Sequence, residues 1–318
     1  MMAGLIGIGA APLQTVDPTA PAPAVTDAVL LTNLFTRIAT HVRVNGERHV
    51  FVIDTGAERS AISDTVARGL DLIPDRPVMV HGITSAQLSP TVRINWLDFS
   101  GRRFADLNAP VFARAQLGAD GLLGLDVLSR FRLRFDLLRR RVTMTASADH
   151  LAQGVGIVAG SRIRRDFLGT DEPRPLLLAR IDIGSTRAAA FVDSGAQYSI
   201  GNLALARAVG ALDRSSAPIP IYGVVGQEAT ARAGRLTDLV LGGRRLGPTP
   251  LLFADLHAFA MLGLSQIPAI IVGADILTRF SDVVLDYGRG QMTFGGRLRP
   301  PQIALTAPPS TRISDPVT

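Results

Sequence analysis

The feature that most constrains the fold of this chain is an internal duplication. Residues 51–57 and 191–196 each run from apolar side chains into an Asp, a hydroxyl residue, a Gly and an Ala. Each motif is followed by an apolar-apolar-Gly element, at residues 122–124 in the first half and 271–273 in the second. Solenoid repeats are much shorter, roughly 20–50 residues, so a repeat spanning half the chain predicts two similar lobes.

The duplicated motif suits a chemistry that needs two carboxyl groups. Two carboxyls within hydrogen-bonding distance cannot both ionise, so they share one proton and can act as base and acid together. Asp54 and Asp193 are the candidates for such a pair. Gly56 and Gly195 would let the two loops turn tightly and approach closely. A single Asp-hydroxyl-Gly segment is more often a surface turn, but the matched duplication favours a catalytic pair.

These motifs resemble those of the aspartic proteases, and in particular their retropepsin-like branch. The chain is similar to bacterial periplasmic aspartyl proteases that carry two lobes in one polypeptide, and the resemblance covers residues 38–296. It implies a mainly β fold with two similar retropepsin-like β-barrel lobes, related by a pseudo-two-fold axis, and short helices. The residues that carry the resemblance are Asp54, Thr55, Gly56 and Ala57 in the first copy, and Asp193, Ser194, Gly195 and Ala196 in the second.

The resemblance implies an aspartic-type endopeptidase, a hydrolase in which Asp54 and Asp193 activate a water against a peptide bond. It further implies that Thr55 and Ser194 hydrogen-bond to the opposing loop and lock the pair in place. No cofactor and no metal are expected. A second interpretation stays open, a catalytically silent module of the same fold that binds peptides or proteins in its cleft.

Two alanines bear on the pH at which the Asp pair would be active. Ala57 and Ala196 follow the two Gly residues, where pepsin-like enzymes usually have Ser or Thr. A hydroxyl there can donate to a carboxylate and favour its charged form, so without it the pair should hold its proton to higher pH. We therefore expect an optimum between weakly acidic and near-neutral pH.

Two further segments are candidate flaps that would close over a bound peptide. His81 and Gly82 lie 28 residues after the first Asp, counted to the Gly, and Tyr222 and Gly223 lie 30 residues after the second, counted in the same way. The alternative is that both segments are ordinary hairpin turns. A polypeptide substrate under such flaps would be extended, held by main-chain hydrogen bonds with its side chains in alternating pockets.

The composition limits the classes of partner that we expect for this chain. The formal charge is +6, but all 33 basic residues are Arg and are dispersed through both halves, so no nucleic-acid partner is expected. No stretch is long and apolar enough to predict a membrane span. The chain has no Cys, and its five His residues do not have metal-ligand spacing. Two lobes in one chain predict a monomer.

The sequence divides into four parts. Residues 1–26 form a leader that resembles a secretory signal, or a disordered segment, and residues 27–150 form the N-terminal lobe. Residues 151–298 form the C-terminal lobe, with the linker expected at 150–173, and residues 299–318 form a Pro-rich, disordered tail. The leader favours a periplasmic or secreted protein, but it lacks a basic start, which leaves a cytoplasmic location as the alternative.

Short helices are predicted at 61–70 and 125–130, and at 202–210 and 274–279 in the second half. Asp126 and Asp275 recur at the starts of two of these helices. A carboxylate at that position usually serves the helix dipole or a cap, and we interpret both in that way.

Overall fold

A computed structural model describes residues 26–32, 37–147, 155–158, 161–164, 178–213, 215–226, 228–287 and 289–300. The predicted leader and tail lie almost entirely outside these residues. None of the helices in the described ranges is long and apolar enough to cross a membrane.

The first half is built mainly of strands, with three short helices between them. In chain order its elements are β1 Thr26–Thr32, β2 Ile38–Val44, β3 Glu47–Ile53, β4 Ala61–Ser63, α1 Asp64–Gly69, β5 Pro74–His81, β6 Ala86–Phe99, β7 Arg102–Phe112, α2 Arg114–Leu117, β8 Gly121–Leu123, α3 Leu125–Leu128, β9 Phe131–Asp136 and β10 Arg141–Ala146.

The second half repeats this arrangement after two short strands. Its elements are β11 Val155–Val158, β12 Ser161–Arg164, β13 Leu178–Ile183, β14 Thr186–Val192, β15 Ile200–Gly201, α4 Leu203–Val209, β16 Ile219–Tyr222, β17 Glu228–Leu236, β18 Leu239–Leu241, β19 Arg244–Arg245, β20 Thr249–Phe253, α5 His257–Met261, β21 Ala269–Val272, α6 Ala274–Leu277, β22 Phe280–Asp286 and β23 Gln291–Leu298.

The two halves share one strand topology. β3 pairs in parallel with β8, which pairs antiparallel with β4, and β4 pairs in parallel with β7. β14, β21, β15 and β20 repeat these three pairings in the same order and directions. The predicted mainly β fold of two similar lobes is therefore confirmed.

The two Asp-containing motifs follow strands that are buried on both faces. Phe51, Val52 and Ile53 at the end of β3 are all buried, and so are the last five residues of β14. A continuous apolar run is typical of a strand that is covered on both sides. The Asp that follows each run therefore starts its loop from a rigid, buried anchor.

A sheet made from both halves joins the lobes. β9 pairs antiparallel with β22, and β10 and β23 flank this pair. β9 alternates buried Phe131, Leu133 and Phe135 with exposed arginines, as expected for a strand with one face on the core. Core residues from both halves form one continuous apolar cluster around this sheet.

Two local predictions need correction. Residues 61–63 form strand β4 rather than the start of a helix, because they are buried and pair with β7 and β8; α1 then begins at Asp64, capped by Ser63. The segment expected as linker contains β11 and β12, and β11 adds to the free edge of β23. That pairing is tertiary, so local composition does not reveal it.

Candidate active site

Each candidate Asp is fixed through its main chain to the apolar-apolar-Gly element of its own lobe. The Asp54 N–H donates to the Leu123 carbonyl at 2.9 Å, and the Asp193 N–H donates to the Val272 carbonyl at 3.0 Å. Further along each loop, the Ala57 carbonyl accepts from the N–H of Leu125 and the Ala196 carbonyl accepts from the N–H of Ala274, both at 2.8 Å. These bonds make both loops rigid extensions of the central strands.

Each carboxyl is held by amides of its own loop. Oδ1 of Asp54 accepts from the N–H groups of Gly56 and Ala57 at 2.9 and 3.0 Å. Oδ1 of Asp193 accepts from the equivalent amides of Gly195 and Ala196 at 2.9 and 3.1 Å. The two lobes make equivalent bonds, so Oδ1 of each carboxyl is fixed in the same way.

The two carboxyls meet between the loops. A Cβ atom on Gly56 would lie 2.6 Å from Cγ of Asp193, and a Cβ on Gly195 would overlap Cγ of Asp54. Only glycine allows this approach, because any side chain would occupy the space of the opposing carboxyl. Each carboxyl therefore lies against the loop that carries the other, and each influences the pKa of the other; we call Asp54 and Asp193 the dyad.

The surroundings of the dyad favour retention of a proton. Burial raises the pKa of Asp54, while the charge of Arg37 and the loop amides act in the opposite direction. Burial, and next the charge of Asp54, raise the pKa of Asp193 well above its ordinary value. Two neighbouring acids titrate as one system, and both shifts favour a proton on this pair to higher pH than on an ordinary aspartate.

The hydroxyl residues of the two motifs interlock beneath the dyad. Thr55 Oγ1 donates to the Val192 carbonyl at 2.9 Å and accepts from the Ser194 N–H at 3.0 Å. Ser194 Oγ donates to the Ile53 carbonyl at 2.6 Å and accepts from the Thr55 N–H at 3.3 Å. These four cross-lobe bonds are buried, and they fix one loop relative to the other.

A second repeated pair supports each loop. Asp126 Oδ1 accepts from the N–H and the hydroxyl of Ser60 at 2.9 and 2.8 Å. The Ser60 hydroxyl in turn accepts from the Gly124 N–H at 3.0 Å. Asp275 and Ser199 repeat this arrangement in the second lobe. Each Asp also accepts a hydrogen bond from the N–H of the next helix residue, as a helix cap would. Its bonds to the serine additionally tie the loop to the Gly element, a role that the interpretation as a helix cap did not predict.

Two more side chains approach the dyad, and sequence reasoning missed both. Arg37 is buried, and the charges of Asp54 and Asp193 act on both Arg37 and Tyr287. Burial, and next the charge of Asp54, raise the pKa of Tyr287, so its hydroxyl stays protonated. The sequence does show that the two halves differ at Arg37. The residue 139 positions later, at the spacing that separates Asp54 from Asp193, is the uncharged Leu176.

The candidate flaps are hairpin turns that contact each other. The first, residues 82–85 between β5 and β6, is closed by a bond from the Gly82 N–H to the Ser85 carbonyl at 2.8 Å. The second, residues 223–226, lies against it: a Cβ on Gly82 would be 3.0 Å from Cγ2 of Val225. The Ile83 carbonyl also accepts from the Ala258 N–H at 3.2 Å, so the first turn rests on the second lobe.

The remaining flap residues have different surroundings. His81 Nδ1 lies 3.0 Å from His257 Nε2, and the two rings stack 5.3 Å apart. Tyr222 is 65% exposed and pairs across the hairpin with Glu228 on the outer surface. The Tyr222 side chain is therefore mostly in contact with solvent.

The described residues contain no group of three or more His, Cys, Asp or Glu placed to hold a metal ion. The residues that do converge are the two carboxyls, their supporting amides and hydroxyls, Arg37 and Tyr287.

Comparison with known proteins adds family evidence to this geometry. The aspartyl protease family model matches residues 40–127 and again residues 179–276, once in each lobe and together more than half of the chain. Among solved structures, the chain is similar to a retropepsin-like aspartic protease from Rickettsia conorii, with 20% identity, 38% of this chain and 92% of that chain covered, and a TM-score of 0.29. No curated protein gives a match. Because the family model matches both lobes, the chain belongs to the aspartyl protease family.

Proposed function

We propose that the protein is an aspartic endopeptidase whose dyad activates water against the peptide bond. One carboxylate takes a proton from a water held between Asp54 and Asp193, and the water attacks the scissile carbonyl. The protonated partner donates a hydrogen bond to the developing oxyanion, and a proton then passes to the leaving amine. The reaction needs no covalent intermediate.

The observation that carries this proposal is that two carboxyls 139 residues apart in the chain each lie against the loop that carries the other. Asp54 is 8% exposed, and the pair is bracketed by cross-lobe bonds of Thr55 and Ser194. Burying two acids side by side is costly, so a purely structural site would favour replacing one of them by a neutral residue.

The substrate is a polypeptide, as the family implies, and we propose that it binds extended beneath the two hairpin turns. The turns contact each other, and Val225 belongs to the same apolar cluster as Ala57 of the first Asp loop, which supports a peptide site between the turns and the dyad. An extended strand could then pair with turn backbone, while the cleft takes alternate side chains.

The decisive experiment compares cleavage of casein by the wild type and by Asp54→Asn and Asp193→Asn, with and without pepstatin. We expect both variants to lose cleavage and retain a cooperative thermal transition. Asp106→Asn is the matched control, because Asp106 is exposed and lies outside the site, and it should cleave normally. Casein cleavage that survives in both dyad variants would refute the proposal. Casein binding without cleavage by the wild type would favour the silent binding module.

The pH profile of casein cleavage tests the protonation argument. With two alanines after the Gly residues and a buried dyad, we expect an optimum between weakly acidic and near-neutral pH. A maximum as acidic as that of pepsin would contradict it.

We further propose that the protein is periplasmic or secreted and monomeric. The signal-like start of the sequence supports export, and the presence of both motifs in one chain supports a monomer. Mass spectrometry of the mature N-terminus and light scattering of the purified protein test these two points separately.

A further inference from the structure

We propose that Arg37 is a positioning residue that makes the dyad unequal: its fixed positive charge favours the negative charge on Asp54 and leaves the shared proton on Asp193. This inference rests on the proposed function, since it concerns the same two carboxyls. It assigns different roles to two loops that are almost identical in sequence.

The first step is the placement of Arg37. It lies immediately before β2 and is 6% exposed. Its Nη1 donates to the Gly195 carbonyl of the second lobe at 3.2 Å, and its Nη2 donates to the Leu117 carbonyl of the first lobe. The guanidinium is planar and always charged, so bonds on both sides fix a positive charge between the two lobes.

The second step is the distance from this charge to the dyad. Gly195, whose carbonyl Arg37 holds, donates its own N–H to Asp193 Oδ1 at 2.9 Å. The Cα of Gly195 faces Asp54 so closely that a Cβ there would overlap its Cγ. One residue thus separates the guanidinium from both carboxyls. In a buried setting with little water, a charge at that range has a strong effect.

The third step is the direction of the effect. Arg37 is the strongest influence opposing burial at Asp54, where it lowers the pKa, whereas the main influences on Asp193 are burial and the charge of Asp54. Burial lowers the pKa of Arg37, and the charge of Asp54 is the larger of the two acidic influences that oppose this. Both observations place the stronger charge pair between Arg37 and Asp54.

The fourth step is the absence of a matching residue in the repeat. The position equivalent to Arg37, 139 residues later, is Leu176 in the sequence. Leu176 carries no charge, so the two motifs are not preceded by the same charged residue at this spacing.

Other titratable groups near the dyad do not supply this asymmetry. Tyr287, on the Thr55 side chain, is a neutral hydroxyl. Asp126 and Asp275 occupy equivalent places in the two lobes, bound to Ser60 and Ser199. Among the described residues, Glu58 and Arg59 follow the first Asp loop, Tyr198 follows the second, and His81 and His257 lie at the first hairpin turn; none of them is among the main influences on the pKa of either Asp.

The test measures the pH dependence of kcat/KM for Arg37→Met, which removes the charge, and Arg37→Lys, which keeps it. If Arg37 favours ionised Asp54, the acidic limb of the Arg37→Met profile moves up by about one pH unit, with about tenfold slower cleavage on that side. The limb of Arg37→Lys stays near that of the wild type. Arg279→Met is the matched control: Arg279 is 5% exposed and donates to the Leu246 carbonyl at 2.7 Å, so its loss should leave the limb in place.

A second readout separates this inference from the proposed function. In protein labelled with ¹³C at Asp carboxyls, the Asp54 resonance is assigned by its loss in Asp54→Asn, and its titration is followed in wild type and in Arg37→Gln, a variant that can still donate to a carbonyl. An Asp54 midpoint that moves up in Arg37→Gln supports the inference, even if the wild type cleaves nothing. Superimposed titrations, or an equal shift in Arg279→Met, overturn it, even if the enzyme is active.

Discussion

The buried interlock beneath the dyad should be worth several kcal/mol to the folded protein. Ser194→Ala removes one hydroxyl that serves two partners, the Ile53 carbonyl at 2.6 Å and the Thr55 N–H at 3.3 Å. Both partners are main-chain groups in the protein interior and would be left unsatisfied. Each buried group left unsatisfied costs about 1–3 kcal/mol of unfolding free energy. We take the lower end of that range for the Thr55 N–H, whose bond is longer, and so expect the unfolding free energy to fall by roughly 2–4 kcal/mol.

The assay is urea unfolding of the wild type, Ser194→Ala, Thr55→Val and the double variant. Thr55→Val keeps the side-chain shape but removes the bonds to the Val192 carbonyl and the Ser194 N–H. The two hydroxyls also lie 3.3 Å from each other, so their effects should not add, with a coupling of at least about 0.5 kcal/mol. For a chain of this size, the Tm of each single variant should fall by roughly 3–8 °C.

Ser215→Ala is the control for the loss of a serine hydroxyl. Ser215 is exposed and bonds only within its own surface turn, to Asp213, so its loss should change stability by less than about 0.5 kcal/mol. If Ser194→Ala and Thr55→Val cost no more than this control, water satisfies the groups they leave and the interlock does not hold the loops together.

Three further predictions follow from the geometry. Gly56→Ala should abolish cleavage, because its Cβ would lie 2.6 Å from Cγ of Asp193, whereas Gly69→Ala, where a Cβ meets nothing within 4 Å, should be neutral; equal activities would refute this. The raised pKa of Asp193 means that the folded state binds more protons than the unfolded state above about pH 4, so wild-type stability falls as pH rises. Asp193→Asn should therefore gain in unfolding free energy relative to wild type between pH 4 and pH 7, and a constant difference would contradict this. His81→Ala removes the 3.0 Å contact with His257 and should speed hydrogen exchange at the Ala258 amide, whereas unchanged exchange would show that the contact does not hold the turn.

Much of the fold is readable from the sequence because it depends on local pattern. Alternation in segments such as β9 and continuous apolar runs such as the end of β3 are direct consequences of which faces are buried. The family followed from two matched motifs rather than one. The predicted start of the first helix at residue 61 was wrong, because pairing with β7 and β8 makes residues 61–63 a strand.

The supporting residues were harder to predict. Asp126 is near a helix start, and that position has a common local explanation, so its bonds to Ser60 were not anticipated. The same applies to Asp275 with Ser199. The repeat of both members in both halves was visible in the sequence, but a repeat does not say which residues touch.

The sequence by itself determined that two acidic loops exist, that each follows a buried strand, and that each has its own Gly-containing support. These features are set within one lobe, by segments whose periodicity and turn residues act over short distances. Only the tertiary structure decided that Asp54 meets Asp193, that Thr55 and Ser194 exchange bonds, and that Arg37 reaches Gly195. Those contacts join positions more than a hundred residues apart, and they depend on how the lobes pack around the shared β9–β22 sheet. Local propensities do not specify that packing, because side chains from both halves must fill the same core.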